Sequence, residues 1–377
     1  MNDCVRMRMQ KYDHSQVGLL DMSGSQFESL HEIIAKARLN LTPNVWDYIC
    51  GGAETETTVR RNRLALDSLA FRPRVLRDVH AVEASRSILG RRCRLPVLLA
   101  PVAALEVITD GGAVAAAQAA AQFGVPFVLS SGSSPGLEAT AEAVPDSLRV
   151  FQLYVRGDQD FVDDHVRRAM SKGYAAFCLT VDTAHYSRRE RDVDKRYVRS
   201  TRANVSGEEY QAGLTWSTVA SLTRRFDIPL MIKGIATAGD ARVAVEHGVA
   251  WVWVSNHGGR QLDHGRGSIE VLPEIVEAVK GRAKIIVDGS INRGTDVLKA
   301  VAVGAHAVAI GRMQCFGLAA SGTAGVVRTL EILEDEVKRN LGLLGVATLD
   351  ALDASYLHPA QPTNWPDVLS AFPLLRS

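Results

Sequence analysis

The sequence has little of what would direct a protein to nucleic acid, to a membrane or out of the cell. Its 377 residues carry 43 basic and 42 acidic side chains, a formal net charge of +1, so no overall field attracts it to nucleic acid or an anionic bilayer. The richest apolar segment, residues 95–108, contains two prolines and a glutamate and is too short to cross a bilayer as a helix. Residues 1–18 are polar and lack the apolar region of a signal peptide. We therefore expect a soluble, cytoplasmic protein that binds neither nucleic acid nor membrane.

Cysteine is also scarce. The five cysteines are odd in number, scattered and without the paired spacing of metal sites, which favours reduced thiols in a cytosolic protein over a disulfide framework or a bound metal. They are Cys4, Cys50, Cys93, Cys178 and Cys315. Hydrophobic residues make up 46% of the chain, which is enough for one large core.

Short apolar runs, each followed by a glycine or polar cluster and then a helical stretch, dominate the chain from residue 95 onward. This alternation indicates βα units. Eight such runs occur, at residues 97–101, 126–130, 149–154, 175–181, 229–234, 251–255, 284–288 and 306–311. Eight parallel units predict an α/β fold, a closed (β/α)8 TIM barrel. Residues 240–248 and 296–304 share an Asp start, apolar periodicity and a Gly stop, as expected of outer helices.

Ahead of the barrel we predict an N-terminal helical extension. Residues 25–39 favour a helix with Ser25 as its cap and Glu28 three residues on, and a second helical stretch surrounds residues 46–48. The predicted organisation is the extension and barrel lead-in at 1–94, the barrel at 95–350 and a C-terminal tail at 351–377.

Chemically useful side chains follow almost every predicted strand. Gln, Tyr, Thr, Asp, Lys, His and Arg residues stand at the ends of six runs, and in a barrel these ends open into one mouth. A single such residue is usually structural, but their coincidence favours a catalytic site. The longest connection, residues 196–213, is polar and follows the fourth run, so it is a candidate lid.

The loops after strands seven and eight are where barrels commonly hold a phosphate. Gly289, Gly294 and Gly311 would let backbone N–H groups approach it, and Arg312 would supply a charged fork. The phosphate could belong to a substrate or to a cofactor.

Residues 255–263, Ser-Asn-His-Gly-Gly-Arg-Gln-Leu-Asp, closely resemble a motif of the FMN-dependent L-2-hydroxyacid oxidase and dehydrogenase family. The family includes glycolate oxidase, lactate oxidase, mandelate dehydrogenase and hydroxymandelate oxidase. The resemblance runs from about residue 46 to residue 344, in the family's order, through residues 47–48, 76–79, 100–101, 151–154, 180–183, 188–190, 233–234, 288–289 and 311–312. It implies FMN as cofactor and a small L-2-hydroxy acid as substrate. Because family members are often tetramers, it also implies a homotetramer.

The resemblance implies a role for each residue of the catalytic centre. His257 would be the base that receives the substrate's hydroxyl proton, while the carbon-bound hydrogen passes to flavin N5 as hydride or in carbanion form. Asp182 would orient the imidazole and stabilise the imidazolium. Tyr48 and Tyr154 would contact the substrate carboxylate or hydroxyl. Taken alone, Tyr48 could equally be a core aromatic.

The same resemblance implies the binding residues. Arg189 and Arg260 match the pair that binds the substrate carboxylate, a role that suits guanidinium because its N–H groups hold both oxygens in one plane. Arg189 lies in a charge-rich stretch and could also be a solvated surface arginine. Lys233 matches the lysine near flavin N1 and O2, where a fixed positive charge favours the anionic reduced flavin. The residues that match cofactor-binding positions are Ala100, Pro101, Val102, Ala103, Ser130, Gln152, Thr180, Lys233, Ser255, Asp288, Gly289, Ser290, Asn292, Gly311 and Arg312.

Among the departures from the family pattern, three are at positions that match the cofactor- or substrate-binding residues. Asn292 stands where the family has an arginine that helps hold the FMN phosphate. Since Arg293 is adjacent and Arg312 is retained, we predict weakened rather than abolished FMN binding. Gly132 stands where glycolate oxidase-like members place a tryptophan against the substrate, which predicts an aryl or branched substrate larger than glycolate. Val102 stands where those members have a threonine.

Several functions remain open at this point. The leading interpretation is an oxidase that returns electrons to O2, because the sequence contains no haem-binding domain and no membrane segment to reach a quinone. A dehydrogenase with another electron acceptor is the second. Isomerases and nucleotide dehydrogenases share the phosphate loops but do not need His257 with Arg260. A flavin-binding barrel with little turnover is the last alternative, which Asn292 keeps open.

Overall fold

The computed structural model describes residues 26–197 and 206–375. Helices α1 (Leu30–Asn40), α2 (Pro43–Cys50) and α3 (Thr57–Asp67) come first. Three short strands follow them: β1 (Leu69–Phe71), β2 (Arg86–Ile88) and β3 (Arg91–Cys93). The helical stretch predicted around residues 46–48 is α2, whose first turn is capped by the Thr42 hydroxyl accepting from the Val45 N–H.

The first helix begins later than predicted. Its cap is Ser29, whose Oγ accepts from the Glu32 N–H at 3.4 Å, whereas the predicted cap, Ser25, lies outside the described residues. A serine followed three residues later by a glutamate occurs twice in succession here. The second pair immediately precedes the buried apolar face of α1, and that packing selects it.

Eight parallel strands close into a barrel in chain order. They are β4 (Val97–Leu99), β5 (Phe127–Ser130), β6 (Arg149–Leu153), β7 (Ala176–Thr180), β8 (Leu230–Ile235), β9 (Trp251–Val254), β10 (Lys284–Val287) and β11 (Ala307–Ile310). The barrel closes where β11 pairs with β4, with Val308 opposite Val97. Seven of the eight predicted runs contain one barrel strand each, and β8 extends one residue beyond the fifth run, so the (β/α)8 prediction is confirmed.

Helices surround this barrel. They are α4 (Gly112–Phe123), α5 (Leu137–Ala143), α6 (Gln159–Ser171), α7 (Glu190–Asp194), α8 (Glu208–Ala212), α9 (Trp216–Arg225), α10 (Ala238–Glu246), α11 (Ser268–Val279), α12 (Gly294–Val303) and α13 (Arg312–Leu344). The two predicted outer helices are α10 and α12, each of which begins two residues before its aspartate. No described helix is both long and apolar enough to cross a membrane.

The barrel interior is packed with side chains at its N-terminal end. One buried cluster joins Leu98, Val128, Val150, Cys178, Met231, Trp251, Trp253, Ile286 and Ala309. The β2–β3 hairpin adds Ile88 and Cys93 to this cluster, and the Ser87 carbonyl lies 2.8 Å from Nε2 of His306 at the start of β11. The hairpin therefore covers the N-terminal end, and the C-terminal end is the open mouth, as in other barrels of this type.

Segments before and after the barrel meet outside it. Strand β12 (Leu357–Pro359) pairs antiparallel with β1. The candidate lid falls partly outside the described residues, because residues 198–205 are among those not described. Its C-terminal part forms α8, where the Gln211 side chain accepts from the Val155 N–H at 2.7 Å and donates to the Thr180 carbonyl at 2.8 Å. These bonds attach α8 to the ends of β6 and β7.

Candidate active site

A cavity of about 490 Å³ occupies the C-terminal mouth of the barrel, within the size range of small-molecule sites. Most of the predicted site residues line it. They are Tyr48, Tyr154, His257, Arg189, Arg260, Gly132, Ala100, Pro101, Val102, Ala103, Lys233, Asp288, Gly289, Ser290, Asn292, Gly311 and Arg312. Four further predicted residues are buried behind this lining: Ser130, Gln152 and Thr180 in their strands and Ser255 directly after β9. Asp182 follows β7 and contacts the lining from behind.

The histidine sits in an unusual turn directly after β9. Three successive residues, His257, Gly258 and Gly259, have positive φ angles of 57°, 64° and 77°, a conformation that costs a non-glycine residue about 1 kcal/mol or more. The His257 N–H donates to the Ser255 hydroxyl at 3.0 Å, which fixes the turn. A Cβ on Gly259 would come within 2.6 Å of the backbone of α3, so the helix and the turn can pack only with glycine there.

His257 lies between a carboxylate and a phenol. Its Nδ1 is 2.9 Å from Oδ1 of Asp182, and its Nε2 is 3.3 Å from the Tyr154 hydroxyl. A proton on Nδ1 is donated to the carboxylate, which leaves the Nε2 lone pair facing the cavity. Gly234, with φ of 116°, makes room for this pair, because a Cβ there would lie 2.7 Å from the Asp182 Cβ.

The local charges keep His257 neutral and Asp182 ionised. Burial, assisted by the positive charge of Lys233, lowers the pKa of His257 below its ordinary value. Burial would raise the pKa of Asp182, but His257 and Lys233 outweigh it and hold that pKa low. A neutral imidazole beside an ionised carboxylate can accept a proton near pH 7, and the resulting imidazolium is stabilised by the carboxylate.

A lysine is buried close to this pair. Lys233 is 4% exposed, and its Nζ donates to the Ser255 hydroxyl at 3.0 Å. Carboxylate oxygens of Asp182 and Asp288 lie 3.9 and 3.8 Å from Nζ. Burial disfavours the ammonium form, yet these carboxylates raise the pKa of Lys233 above its ordinary value. A permanent positive charge therefore borders the cavity.

Two further cations lie in the cavity wall. The Arg260 guanidinium donates to the Gly51 carbonyl at 2.7 Å, and Arg312 donates to the same carbonyl at 3.0 Å. Among the described residues, neither guanidinium has a carboxylate within 4 Å. Burial and the charge of Arg260 lower the pKa of Arg312 to about 10. Arg312 also donates to the Gly258 carbonyl at 3.0 Å. Adjacent cations whose hydrogen bonds go to backbone carbonyls favour the binding of an anion.

Tyr48 and Arg189, for which the sequence left two interpretations each, both line the cavity. The ring of Tyr48 lies under the Arg260 guanidinium, 4.9 Å from ring centroid to Cζ, and its hydroxyl donates to the Ala103 carbonyl at 3.0 Å. Tyr48 is thus both a core aromatic and part of the cavity lining. Arg189 is only 8% exposed, with the Tyr186 ring 4.6 Å from its Cζ. The interpretation of Arg189 as a solvated surface residue is wrong.

Buried polar atoms in the wall suit a heteroaromatic ring. The side-chain amide of Gln152 and the hydroxyl of Thr180 are fully buried at the ends of β6 and β7 and make no hydrogen bond within the described protein. Unsatisfied buried polar atoms are costly, so a group with complementary donors and acceptors would stabilise this wall. The edge of the FMN isoalloxazine has such groups.

The part of the cavity formed by the loops after β10 and β11, here called the Asn292 end, differs from the prediction. Arg293 does not enter the cavity, because its Nε donates to Oε1 of Glu336 at 2.8 Å. The Gly294 N–H donates to Oε2 of the same glutamate at 2.6 Å, so it cannot also serve a phosphate. Asn292 does line the cavity. Of the arginines predicted for this end, Arg312 alone borders the cavity within the described residues.

Helix α3 contributes two residues that the sequence pattern did not identify. Asn62 and Asn256 exchange two amide hydrogen bonds of 2.9 and 2.8 Å, which fixes the residue before His257. Arg63 donates to the Ser290 carbonyl and to both oxygens of Asp296. A signal was present, since Asn62 and Arg63 occupy the i+3 and i+4 positions of an apolar helical face that begins at Val59 and continues to Leu66.

Fold and site together define a (β/α)8-barrel enzyme with a buried base and an anion-binding pocket. The family of FMN-dependent dehydrogenases matches residues 37–359, and the chain belongs to this family. FMN is its cofactor, and its class is that of the FMN-dependent 2-hydroxyacid oxidoreductases. The expected family, barrel and cofactor are thereby confirmed.

Relatives within this family are similar over most of their length. Glycolate oxidase of Spinacia oleracea is 39% identical over 354 residues, which are 88% of this chain and 96% of the relative. L-lactate oxidase of a Nostoc strain is 38% identical over 356 residues, 88% of this chain and 98% of the relative. The crystal structure of mandelate oxidase is similar with a TM-score of 0.82 at 38% identity, covering 88% of this chain and 98% of that chain.

Proposed function

We propose that the protein oxidises an L-2-hydroxy acid larger than glycolate, with an aryl or branched side chain, to the 2-oxo acid and passes the electrons to O2. The observation that carries the proposal is the joint placement of His257 and Arg260 on one turn, facing one cavity. Isomerases and nucleotide dehydrogenases have no need for a base beside a carboxylate-binding arginine. Oxidation of a hydroxy acid needs both.

In this proposal the substrate carboxylate binds to Arg260 and Arg189. The flat guanidinium groups hold both carboxylate oxygens, and the Tyr48 ring packs against the guanidinium of Arg260. His257 Nε2 then accepts the proton of the substrate hydroxyl, with Tyr154 positioning that hydroxyl. Asp182 stabilises the positive charge that develops on the imidazole.

The cofactor occupies the rest of the cavity in this proposal. FMN would supply the acceptor for the electron pair and hydrogen removed from the substrate carbon, a capacity that no side chain here has. Gln152, Thr180 and Ser130 would hold the ring edge, and Lys233 would place its charge beside it. The segment 100–103 and residues Ser255, Asp288, Gly289, Ser290, Asn292, Gly311 and Arg312 would hold the rest.

The proposed substrate size rests on Gly132. This residue lines the cavity, and a Cβ built on it would lie 3.0 Å from the Ala103 Cβ. Any side chain at position 132 would therefore crowd Ala103 or occupy the cavity. Because glycine places no side chain in this part of the cavity, it supports a substrate larger than glycolate. We expect G132W to lower kcat/KM for an aryl hydroxy acid about tenfold relative to glycolate, since one pocket group discriminates by about that much.

The deciding experiment is anaerobic reduction of the bound flavin by a panel of L- and D-2-hydroxy acids, from glycolate through lactate to mandelates. Bleaching near 450 nm by an L-aryl or L-branched acid, faster than by glycolate, supports the proposal, and a preference for glycolate contradicts it. Admission of air then distinguishes the acceptors, since rapid reoxidation supports O2 and slow reoxidation supports a dehydrogenase. If FMN binds but no acid reduces it, the barrel is a flavin-binding protein with little turnover.

We also propose a homotetramer in the cytoplasm. The tetramer is supported by the family resemblance, and the compartment by four described cysteines that are buried and unpaired. Sedimentation analysis tests the tetramer, and a monomer at micromolar concentration would contradict it.

A further inference from the structure

Strand β9 carries two tryptophans, Trp251 and Trp253, that both point into the barrel. They belong to the same buried interior cluster, with 6% and 0% exposure. Trp251 lies near the closed end, where its ring meets that of His306 edge-on at 5.4 Å. Trp253 is one layer nearer the mouth. The two tryptophans thus lie on the same strand at different distances from the active site.

The indole of Trp253 makes a hydrogen bond that ordinary barrel packing does not require. Its Nε1–H donates to Oδ2 of Asp288 at 3.0 Å. The other oxygen of Asp288 accepts from the Ser255 hydroxyl at 2.8 Å. Both oxygens are therefore occupied by neutral donors, and the carboxylate is fixed in the floor of the cavity.

The same carboxylate is a potential partner for the buried lysine. Nζ of Lys233 lies 3.8 Å from Oδ2 of Asp288, the oxygen that Trp253 holds. The ammonium instead donates to the Ser255 hydroxyl at 3.0 Å and lies 5.9 Å from the Trp253 ring centroid. Attraction between opposite charges strengthens as they approach in a buried setting. The indole N–H therefore competes with the ammonium for Oδ2 and keeps the two charges apart.

We propose that Trp253 is a positioning residue that, through Asp288, holds the charge of Lys233 toward the cavity and thereby raises the electron affinity of bound FMN. Without the N–H donor, Oδ2 of Asp288 turns to Lys233, and a direct ion pair draws the ammonium away from the cavity. This inference rests on the proposed placement of Lys233 beside the flavin. It does not depend on which hydroxy acid is the substrate.

The test is the midpoint potential of FMN in the holoenzyme, measured by dye-coupled titration without substrate. We expect W253F to lower the two-electron potential by about 30 mV, which corresponds to a tenfold change in the reduction equilibrium. W251F is the matched control, with the same substitution on the same strand, and should leave the potential unchanged. An unchanged potential in W253F overturns the inference.

A second pair of variants separates the hydrogen bond from the packing. W253H also removes ring volume but keeps an N–H donor, so it should retain more of the wild-type potential than W253F. Equal shifts in both would assign the effect to packing and overturn the inference. K233M tests the placement of the lysine beside the flavin, on which the inference rests. If K233M leaves the potential unchanged, that placement is wrong. If K233M shifts the potential and W253F does not, only the role of Trp253 is wrong.

Discussion

The two ends of the cavity were predicted by the same reasoning from strand ends, yet they are built differently. In the part of the cavity around the turn after β9, here called the His257 end, His257, Tyr154 and Arg260 line the cavity and each is held by a hydrogen bond. At the Asn292 end, Arg293 turns outward to Glu336 on α13. A strand end places a residue at the mouth, but the partner of its side chain decides which way it points.

The largest expected effect lies at the His257 end. H257Q keeps a polar side chain but removes the proton acceptor, so anaerobic flavin reduction should slow by about 10³-fold or more, with FMN still bound at full occupancy. Stopped-flow absorbance at 450 nm measures it. H264Q is the matched control on the same loop, where His264 has 64% of its side chain exposed and should have no effect. Turnover retained in H257Q would contradict the assigned base.

A smaller effect is expected from R260K. Lysine cannot hold both the Gly51 carbonyl and a substrate carboxylate in a fixed plane, so KM should rise about 10- to 100-fold, the loss of about 1.5–3 kcal/mol of charged hydrogen bonding. Steady-state kinetics separate KM from kcat. R266K, at an exposed arginine paired with Glu274, is the control. An unchanged KM would remove Arg260 from the carboxylate site.

The pH dependence should follow the titration of His257. Burial lowers the pKa of His257 below its ordinary value of about 6.5, and in the proposed mechanism the neutral form accepts the proton. The value of kcat/KM should therefore be level near pH 7 and fall about tenfold per pH unit below that pKa. Because Asp182 raises the pKa of His257, D182N should move the inflection to lower pH while reducing the rate. An inflection above 6.5 in the wild type would refute the assignment.

The smallest effect is expected at the Asn292 end. N292R would add a cation beside the predicted phosphate position, and one charge-assisted hydrogen bond of about 1.5 kcal/mol should tighten FMN binding roughly tenfold. Fluorescence titration of the apoprotein measures the Kd. R293A should change the Kd less than twofold, because its guanidinium binds Glu336. A large loss in R293A would show that the two ends are more alike than their hydrogen bonds indicate.

Sequence reasoning succeeded where information is local. A buried strand is a short apolar run, and in a barrel the residue at its C-terminal end lies at the mouth. These two local features predicted the barrel and the positions of His257, Lys233 and Arg312 at its mouth. Where no family resemblance supplied the pairing, as it did for Asp182 with His257, sequence reasoning missed partners that are distant in sequence. Glu336 is 43 residues from Arg293, and Asn62 is 194 residues from Asn256.

By itself, then, the sequence determined the barrel, the family and the set of residues brought to one mouth, because periodicity and strand-end chemistry are properties of short segments. Only the tertiary structure decided the protonation and direction of those residues. The left-handed turn at His257, the burial that keeps it neutral and the indole that separates Asp288 from Lys233 all depend on which strands and helices pack together, since burial and charge act between neighbours in space.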